Sequence, residues 1–212
     1  MKKTALIIGA SGLVGGALLA KLLASPAYET VKVLLRAPLK IADLKLQTIL
    51  FDFDNPDASK VVADDVFCCL GTTIKRAGSK VAFRKVDFDY PILIAQLAKL
   101  NGAQRFSIVT AMGADAHSSI FYNQVKGEVE QRLAKFDFES LLIFRPSLLL
   151  GNRPERRFGE QIGGVFMRLF SPIIPQKYRA IEAVKVAEAM LQKTVGATPG
   201  VHVFESDALQ AY

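Results

Sequence analysis

A tyrosine and a lysine four residues apart, Tyr122 and Lys126, could together carry out proton transfer. Residues four apart on a helix share one face, with Cβ atoms about 5–6 Å apart. A phenol ionises at about pH 10, and a neighbouring ammonium stabilises the phenolate. Such a tyrosine could donate a proton to a carbonyl oxygen as hydride arrives, or remove one from an alcohol in reverse. The alternative is a pair of ordinary surface side chains, since this spacing alone is common.

A glycine-rich turn follows the first predicted strand and opens the first predicted helix. It consists of Gly9, Ala10, Ser11, Gly12, Leu13, Val14 and Gly15. Glycines in this place allow a tight turn, the close approach of a pyrophosphate and close packing of helix on strand. The helix N-terminus then presents free N–H groups and a partial positive charge to phosphates. The sequence therefore predicts a dinucleotide site here; the alternative is an ordinary glycine-rich turn.

The residue that ends the second predicted strand distinguishes the two nicotinamide dinucleotides. An acidic side chain binds the ribose 2′-OH of NAD(H), and a basic one accommodates the 2′-phosphate of NADP(H). This strand ends at Arg36 without an acid nearby, and a guanidinium holds a phosphate through several charge-assisted hydrogen bonds. We therefore expect NADP(H) rather than NAD(H), unless Arg36 is only a solvated strand-end arginine.

The composition is that of a globular protein with a substantial core, because 50% of the 212 residues are apolar and 22% are charged. The net charge, 27 − 20 = +7, favours anionic partners, but no nucleic-acid-binding module is recognisable. Cys68 and Cys69 are adjacent, where a disulfide would be very strained, so both are expected to be reduced core residues. Neither cysteine has metal-ligand spacing, and His117 and His202 are far apart, so no metal site is expected. Without a signal peptide or a run of about 20 apolar residues, we expect a cytoplasmic protein with no membrane span.

Short apolar runs alternate with amphipathic stretches along the chain. Strands are predicted over residues 4–8, 30–35, 48–51, 65–70, 105–110, 140–145 and 201–205. Helices are predicted over residues 13–23, 90–100, 120–134 and 180–195. The alternation predicts an α/β fold, a doubly wound (Rossmann) parallel sheet with helices on both faces. We expect one domain over residues 1–212, with an irregular C-terminal embellishment at 146–179.

The glycine spacing, one residue longer than the ordinary dinucleotide fingerprint, resembles the atypical branch of the short-chain dehydrogenase/reductase superfamily. Further segments resemble the Tat-interacting-protein subgroup of that branch. They are residues 71–73 (GTT), 77–78 (AG), 86–90 (VDFDY), 113–115 (GAD), 122–130 (YNQVKGEVE) and 144–147 (FRPS). The resemblance covers nearly the whole chain and implies a Rossmann fold and NADP binding. In that subgroup the physiological substrates are poorly defined, and regulatory binding roles are also described.

The resemblance also implies roles for residues at the ends of strands. Asp52, after the third strand, matches the acid that hydrogen-bonds the adenine amino group, although it could be a simple turn former. Lys126 would contact the nicotinamide ribose in addition to its effect on the tyrosine. A segment at the end of the fourth predicted strand occupies the place where the chain of the family passes the adenosine ribose. This segment consists of Leu70, Gly71 and Thr72.

Thr110 is the residue we expect to complete the catalytic set implied by the resemblance, by hydrogen-bonding the substrate carbonyl. It ends the fifth predicted strand, twelve residues before Tyr122. The chain departs from the family here, since many members have a pair of serines where this sequence has Val109-Thr110-Ala111. The alternative is a strand-end hydroxyl that satisfies backbone groups.

The segment from Arg145 to Arg179 carries seven basic and two acidic residues, a net charge of 7 − 2 = +5. The resemblance implies that residues 146–179 form a substrate-side lid over the nicotinamide. A positive rim there could attract an anionic substrate; the alternative is a solvated basic face. An apolar stripe in this segment is expected to pack on its own domain rather than lie on a membrane. The stripe comprises Ile162, Val165, Phe166, Leu169 and Phe170.

Two functions fit these residues. The first is an NADP(H)-dependent oxidoreductase acting on a small carbonyl or alcohol, with Tyr122 as acid/base, assisted by Lys126 and Thr110. The second is a non-enzymatic NADP(H)-binding regulator, in which the cofactor stabilises a surface for a protein partner or a homodimer. The Tyr–Lys pair favours the first function, and the missing second serine favours the other.

Overall fold

The computed structural model describes residues 3–39, 41–151 and 175–212. Its strands are β1 (Lys3–Ile8), β2 (Tyr28–Leu35), β3 (Leu46–Leu50), β4 (Asp65–Cys68), β5 (Arg105–Val109), β6 (Ser140–Arg145), β7 (Leu149–Leu150), β8 (Ile181–Glu182) and β9 (Gly200–Glu205). Its helices are α1 (Leu13–Ala24), α2 (Ile74–Ala77), α3 (Lys80–Arg84), α4 (Tyr90–Leu100), α5 (Phe121–Leu133), α6 (Ala183–Val195) and α7 (Ser206–Leu209). A π-helical turn, Lys85–Asp89, joins α3 to α4.

Seven strands form one parallel sheet in the order β3-β2-β1-β4-β5-β6-β9. The chain starts near the middle of this sheet and winds outward in both directions, so the order reverses between β1 and β4. At that point Ile8, the last residue of β1, is paired with Leu34 on one side and Cys68 on the other. Ligands of open α/β sheets bind in the crevice at such a switch point, and the predicted glycine loop begins there.

Helices cover both faces because the central strands are apolar on both. In β1, Ala5 and Ile7 belong to the core cluster that includes buried residues of α1 and α6. Leu6 and Ile8 point the other way, into the cluster that includes buried residues of α4 and α5. Alternate side chains of a strand face opposite sides of the sheet, and all four of these are fully buried. The predicted doubly wound parallel sheet is therefore confirmed.

The predicted strands and the four long helices are present with boundaries shifted by up to three residues. Helix α6 begins at Ala183 rather than at 180, because Ile181–Glu182 form a short strand that pairs in parallel with β7. The sequence prediction missed α2, α3, α7 and the π-helical turn, which are too short to show helical periodicity. Among the described residues, no helix is long and apolar enough to cross a lipid bilayer.

Much of the basic and apolar C-terminal segment lies outside the described residues. This holds for the predicted apolar stripe at 162–170 and for four of the basic residues, Arg153, Arg156, Arg157 and Arg168. Its described parts contain β7 and a short 3-10 turn, Gln176–Tyr178, and β8 follows directly after it. There Ser147 donates a hydrogen bond to the Arg179 carbonyl and accepts one from Ser206.

Candidate active site

The glycine loop makes a tight turn directly against the end of β4. Gly9 has φ +84°, and a Cβ atom there would lie 2.5 Å from the carbonyl carbon of Cys69. Its carbonyl accepts a 3.0 Å hydrogen bond from the N–H of Gly12. A Cβ atom on Gly15 would lie 2.1 Å from the same carbonyl oxygen. Glycine is therefore required at 9 and 15 to let loop, helix and strand come this close.

The N-terminus of α1 is open to a ligand. Gly12 caps the helix without a side-chain hydrogen bond, and the first turn holds no acidic residue. The first helical hydrogen bond runs from the N–H of Gly16 to Gly12. In the described part of the chain, three backbone N–H groups ahead of it have no acceptor; they belong to Leu13, Val14 and Gly15. Ser11 and Gly12 are exposed within the described part of the chain, so the loop fits a pyrophosphate group.

The segment after β4 runs beside the glycine loop. The N–H of Cys69 donates to the Ile8 carbonyl at 2.8 Å, which holds it at the switch point. Burial raises the pKa of the Cys68 thiol to about 12, so Cys68 is a core residue as predicted. Cys69 is partly buried and packs against the core cluster of α1 and α6, with its Sγ 4.0 Å from Sδ of Met190. Leu70 is partly buried against the cluster of α4 and α5.

Arg36 and Asp52 lie on the walls of one open cleft of about 320 Å³ at the ends of β2 and β3. The N–H of Phe51 donates to the Leu35 carbonyl at 2.8 Å and brings the two strand ends together. Arg36 is exposed, and no described carboxylate forms an ion pair with it. Asp52 accepts a 2.9 Å hydrogen bond from the N–H of Asp54, as the turn-forming alternative expects.

Tyr122 lies half-buried in the first turn of α5, one helical turn before Lys126. Its ring packs against the fully buried ring of Phe83, with centroids 5.4 Å apart. Phe83 belongs to α3, which Arg84 links to α5 through an ion pair with Glu128. Helix α3, absent from the sequence prediction, therefore fixes the tyrosine ring.

Lys126 is buried, with 4% of its surface exposed, and its Nζ lies 2.7 Å from Oδ1 of Asp87. Burial opposes the charge of the ammonium, but attraction to Asp87 and Tyr122 outweighs it, so the pKa of Lys126 is above its usual value. The other carboxylate oxygen of Asp87 accepts a 2.9 Å hydrogen bond from the N–H of Thr72. A Cβ atom on Gly71 would lie 3.7 Å from Asp87 Oδ1 and 3.9 Å from Lys126 Nζ. The candidate catalytic lysine thus lies beside the candidate ribose-binding segment.

Asp87 was not singled out by the sequence reasoning. Its one signal was its place in the stretch 86–90, which contributed to the family resemblance. A buried carboxylate paired with a buried lysine from another helix cannot be read from spacing, because the two residues meet only in the folded protein.

Thr110 lies at the end of β5 with 5% of its surface exposed. Its hydroxyl donates to Oε1 of Glu130 at 2.6 Å, and Glu130 also accepts a 3.1 Å hydrogen bond from Nε of Arg145. A threonine has one hydroxyl proton, and here it is directed to a buried carboxylate. This arrangement matches the alternative of a hydroxyl satisfied within the protein, since the backbone carbonyl of Phe144 also lies 3.4 Å from the Thr110 hydroxyl. Arg145 also pairs with Glu205 at 2.9 Å, so two carboxylates balance this cation of the expected positive rim.

The fold and the glycine loop together define a dinucleotide-binding Rossmann protein. A family model described as NAD(P)H-binding matches residues 9–142, and the chain belongs to this family. It is 36% identical to Protein HTATIP2 of Rattus norvegicus, over 98% of this chain and 88% of that protein. It is 34% identical to "Protein FMP52, mitochondrial" of Eremothecium gossypii, over 73% of this chain and 70% of that one. The predicted membership of the Tat-interacting-protein subgroup is confirmed.

Solved structures share the same fold. MoeE5 in complex with UDP-glucuronic acid and NAD superimposes with a TM-score of 0.73 at 15% identity, over 96% of this chain and 76% of that one. UDP-glucose 4-epimerase of Thermotoga maritima with UDP-glucose gives a TM-score of 0.70 at 14% identity, over 95% and 76%. At these identities the likeness concerns the fold alone.

Proposed function

We propose that the protein is an NADP(H)-dependent oxidoreductase that transfers hydride between the cofactor and a small carbonyl or alcohol. One observation carries the proposal. Lys126, four residues after Tyr122, lies beside Gly71, in the segment that continues from the contact with Gly9. The candidate proton-transfer pair and the dinucleotide loop therefore belong to one continuous site.

The residues of the crevice fit NADP(H) along its length. The free N–H groups at the start of α1 would bind the pyrophosphate. Arg36 would bind the 2′-phosphate, and Asp52 in the same cleft would bind the adenine amino group. The segment Leu70–Gly71–Thr72 would contact the ribose. The solved structure of MoeE5 contains NAD; the exposed guanidinium of Arg36, which forms no ion pair with a described carboxylate, supports NADP(H) here.

The bound cofactor would supply the hydride, and the chain supplies placement and a proton. The Tyr122 hydroxyl would donate to the substrate oxygen during reduction, with its ring held by Phe83. Lys126 would bind the nicotinamide ribose and stabilise the phenolate left behind. For Thr110 to hold the substrate carbonyl, its proton would have to move from Glu130 to the substrate. That role of Thr110 stays a prediction.

The test is a screen of small aldehydes and ketones, followed through the absorbance of NADPH. For any substrate found, Tyr122→Phe keeps the ring packing but removes the proton donor. Turnover should fall about 10²–10⁴-fold, the usual contribution of general acid catalysis. Affinity for NADPH should change by much less than tenfold, whereas Lys126→Ala should impair both. Near-native turnover of Tyr122→Phe would contradict the assignment.

A second candidate is a non-enzymatic NADP(H)-binding regulator. The hydrogen bond from Thr110 to Glu130 favours it, because the expected second donor for a substrate carbonyl is then directed to a carboxylate of the protein. This function predicts tight NADPH binding without turnover of any carbonyl or alcohol in the screen. It also predicts that NADPH strengthens association with a protein partner or a second copy of the chain.

We further propose that residues 1–212 form one domain, with residues 146–179 as a substrate-side lid, and that the protein works in the cytoplasm. The names of the fungal relatives place those proteins in mitochondria. An anionic substrate would depend on cations other than Arg145, since Glu130 and Glu205 already pair with that residue.

A further inference from the structure

The π-helical turn Lys85–Asp89 places a carboxylate inside the protein. Asp87, in the middle of this turn, has 1% of its surface exposed. Single π-helical turns are rare and often occur at functional sites. Burial of an acid is unfavourable unless it is paired and hydrogen-bonded. Asp87 meets both conditions, but both of its partners belong to the candidate site.

Asp87 links two parts of that site that are far apart in sequence. One oxygen accepts the N–H of Thr72, in the proposed ribose-binding segment, at 2.9 Å. The other lies 2.7 Å from Nζ of Lys126, on α5. Gly71 lies beside the pair, since a Cβ atom there would be in van der Waals contact, 3.7 Å from the carboxylate oxygen and 3.9 Å from Nζ. A cofactor ribose that contacts this segment would therefore lie close to the ammonium that Asp87 holds.

The charge of the pair is balanced within the protein. Among the residues that the structure describes, three titratable groups face Lys126: Asp87 from the π-helical turn, Tyr122 from its own helix and Cys68 from β4. Burial keeps the Cys68 thiol neutral, with its pKa raised to about 12. Asp87 is thus the group whose negative charge keeps the buried lysine protonated and in place.

We propose that Asp87 is a positioning residue, which acts through Lys126 and Thr72 to hold the ribose-binding side of the site ready for NADP(H). The proposal rests on the proposed role of Lys126 in contacting the cofactor. Asp87 itself touches neither substrate nor cofactor in this scheme. It sets where the ammonium lies and over which pH range it stays charged.

The test measures binding rather than turnover, so it does not depend on finding a substrate. NADPH, and NADH in parallel, are titrated calorimetrically into the native protein and Asp87→Asn at several pH values between about 7 and about 9.5. The asparagine oxygen can still accept the Thr72 N–H, so the variant isolates the charge. Affinity should fall about 10–100-fold, the range for a lost hydrogen bond to a charged group. It should fall further as the pH rises, because burial without the carboxylate lowers the pKa of Lys126.

Three further proteins control this result. Asp89→Asn removes an exposed acid from the same turn and should bind NADPH as the native protein does at every pH. Lys126→Met should bind weakly without the added pH dependence. The third control repeats the titration with Tyr122→Phe as the starting protein, which lacks the hydroxyl that faces Lys126. Adding Asp87→Asn to this protein should still lower its affinity for NADPH.

Unfolding in urea separates positioning from a purely structural role. Loss of one partner of a buried ion pair is strongly destabilising, whereas neutral residues at both positions are often tolerated. Asp87→Asn/Lys126→Met should therefore be more stable than Asp87→Asn, yet bind NADPH as weakly as Lys126→Met. If Asp87→Asn does not fold, native-like affinity of this double variant overturns the proposal.

The outcomes also separate this proposal from the proposed function. If Lys126→Met binds both cofactors like the native protein, the role of Lys126 in binding is wrong, and the role of Asp87 fails with it. If Lys126→Met binds weakly but folded Asp87→Asn binds with native affinity and pH dependence, only the role of Asp87 is overturned. Absence of turnover with intact binding affects only the proposed oxidoreductase activity.

Discussion

The hydroxyl of Thr110 donates its hydrogen bond to the carboxylate of Glu130, 2.6 Å away, at the carboxyl end of β5. Glu130 lies one helical turn beyond Lys126 and two beyond Tyr122, so α5 turns a tyrosine, a lysine and a glutamate toward the same side. Each has a partner from another element. The ring of Phe83 packs on Tyr122, and Asp87 forms an ion pair with Lys126. Thr110 and Arg145 both donate hydrogen bonds to Glu130. Of these three side chains, Glu130 therefore binds Thr110 and Arg145, which lie at the ends of β5 and β6.

Thr110→Val should therefore act mainly on stability. The variant keeps the shape of the side chain but removes the donor to Glu130, which should lower the free energy of unfolding by about 1–3 kcal/mol. Turnover of any substrate identified should fall much less than in Tyr122→Phe. Urea denaturation and steady-state kinetics on the same samples check both expectations. A rate loss as large as that of Tyr122→Phe, without loss of stability, would assign the hydroxyl to the substrate carbonyl.

Arg36→Asp should reverse cofactor preference. The native guanidinium should favour NADPH over NADH, whereas a carboxylate repels the 2′-phosphate and accepts a hydrogen bond from the ribose hydroxyl. Calorimetric titration of both proteins with both cofactors measures the effect. Lys60→Asp, which changes another cation lining the same cleft, tests whether local charge alone is responsible. The expectation is wrong if the native protein binds NADH as tightly as NADPH.

Gly9→Ala should disrupt the dinucleotide loop more than Gly102→Ala disturbs the end of α4. Both glycines have nearly the same left-handed φ, +84° and +86°. A Cβ atom on Gly102 meets nothing within 4 Å, whereas on Gly9 it lies 2.5 Å from the backbone of Cys69. Gly102→Ala should cost about 1–2 kcal/mol from the left-handed conformation alone. Gly9→Ala should cost more and should also weaken NADPH binding; equal stability of the two variants would argue against the close packing at Cys69.

Tyr28 should contribute stability far from the candidate site, at the opposite end of the sheet. Its hydroxyl donates to the buried carboxylate of Asp65 at 2.8 Å, so Tyr28→Phe should lower the free energy of unfolding by about 1–3 kcal/mol. NADPH affinity should be unchanged. The partly buried Tyr90 offers a comparison: Tyr90→Phe loses a hydrogen bond to the exposed carboxylate of Asp54 and should change stability far less.

The same tyrosine predicts a pH dependence. Burial and the nearby Asp65 raise the pKa of Tyr28 far above its ordinary value. The unfolded chain ionises this phenol at about pH 10 while the folded protein keeps it neutral. Its contribution is therefore fully present below about pH 10 and is lost as the pH rises further. Unfolding free energies measured on both sides of pH 10 should decline less steeply in Tyr28→Phe than in the native protein.

Local patterns in the sequence predicted the fold and the dinucleotide loop. Alternation of apolar strands and amphipathic helices is a short-range property, and the glycines are required by backbone contacts between neighbouring elements. The spacing of Tyr122 and Lys126 likewise follows from helical geometry, which a sequence displays directly. The short helices α2 and α3 contain too few residues for such a pattern.

The tertiary structure alone decided which partners the polar side chains have. The sequence gives no sign that the proton of Thr110 is directed to Glu130, or that Arg145 is neutralised by two carboxylates. Nor does it reveal that a π-helical turn brings Asp87 to Lys126. These partners come from different elements, and a buried charge pairs with whichever group the packing brings within reach, because burial without a partner is too unfavourable.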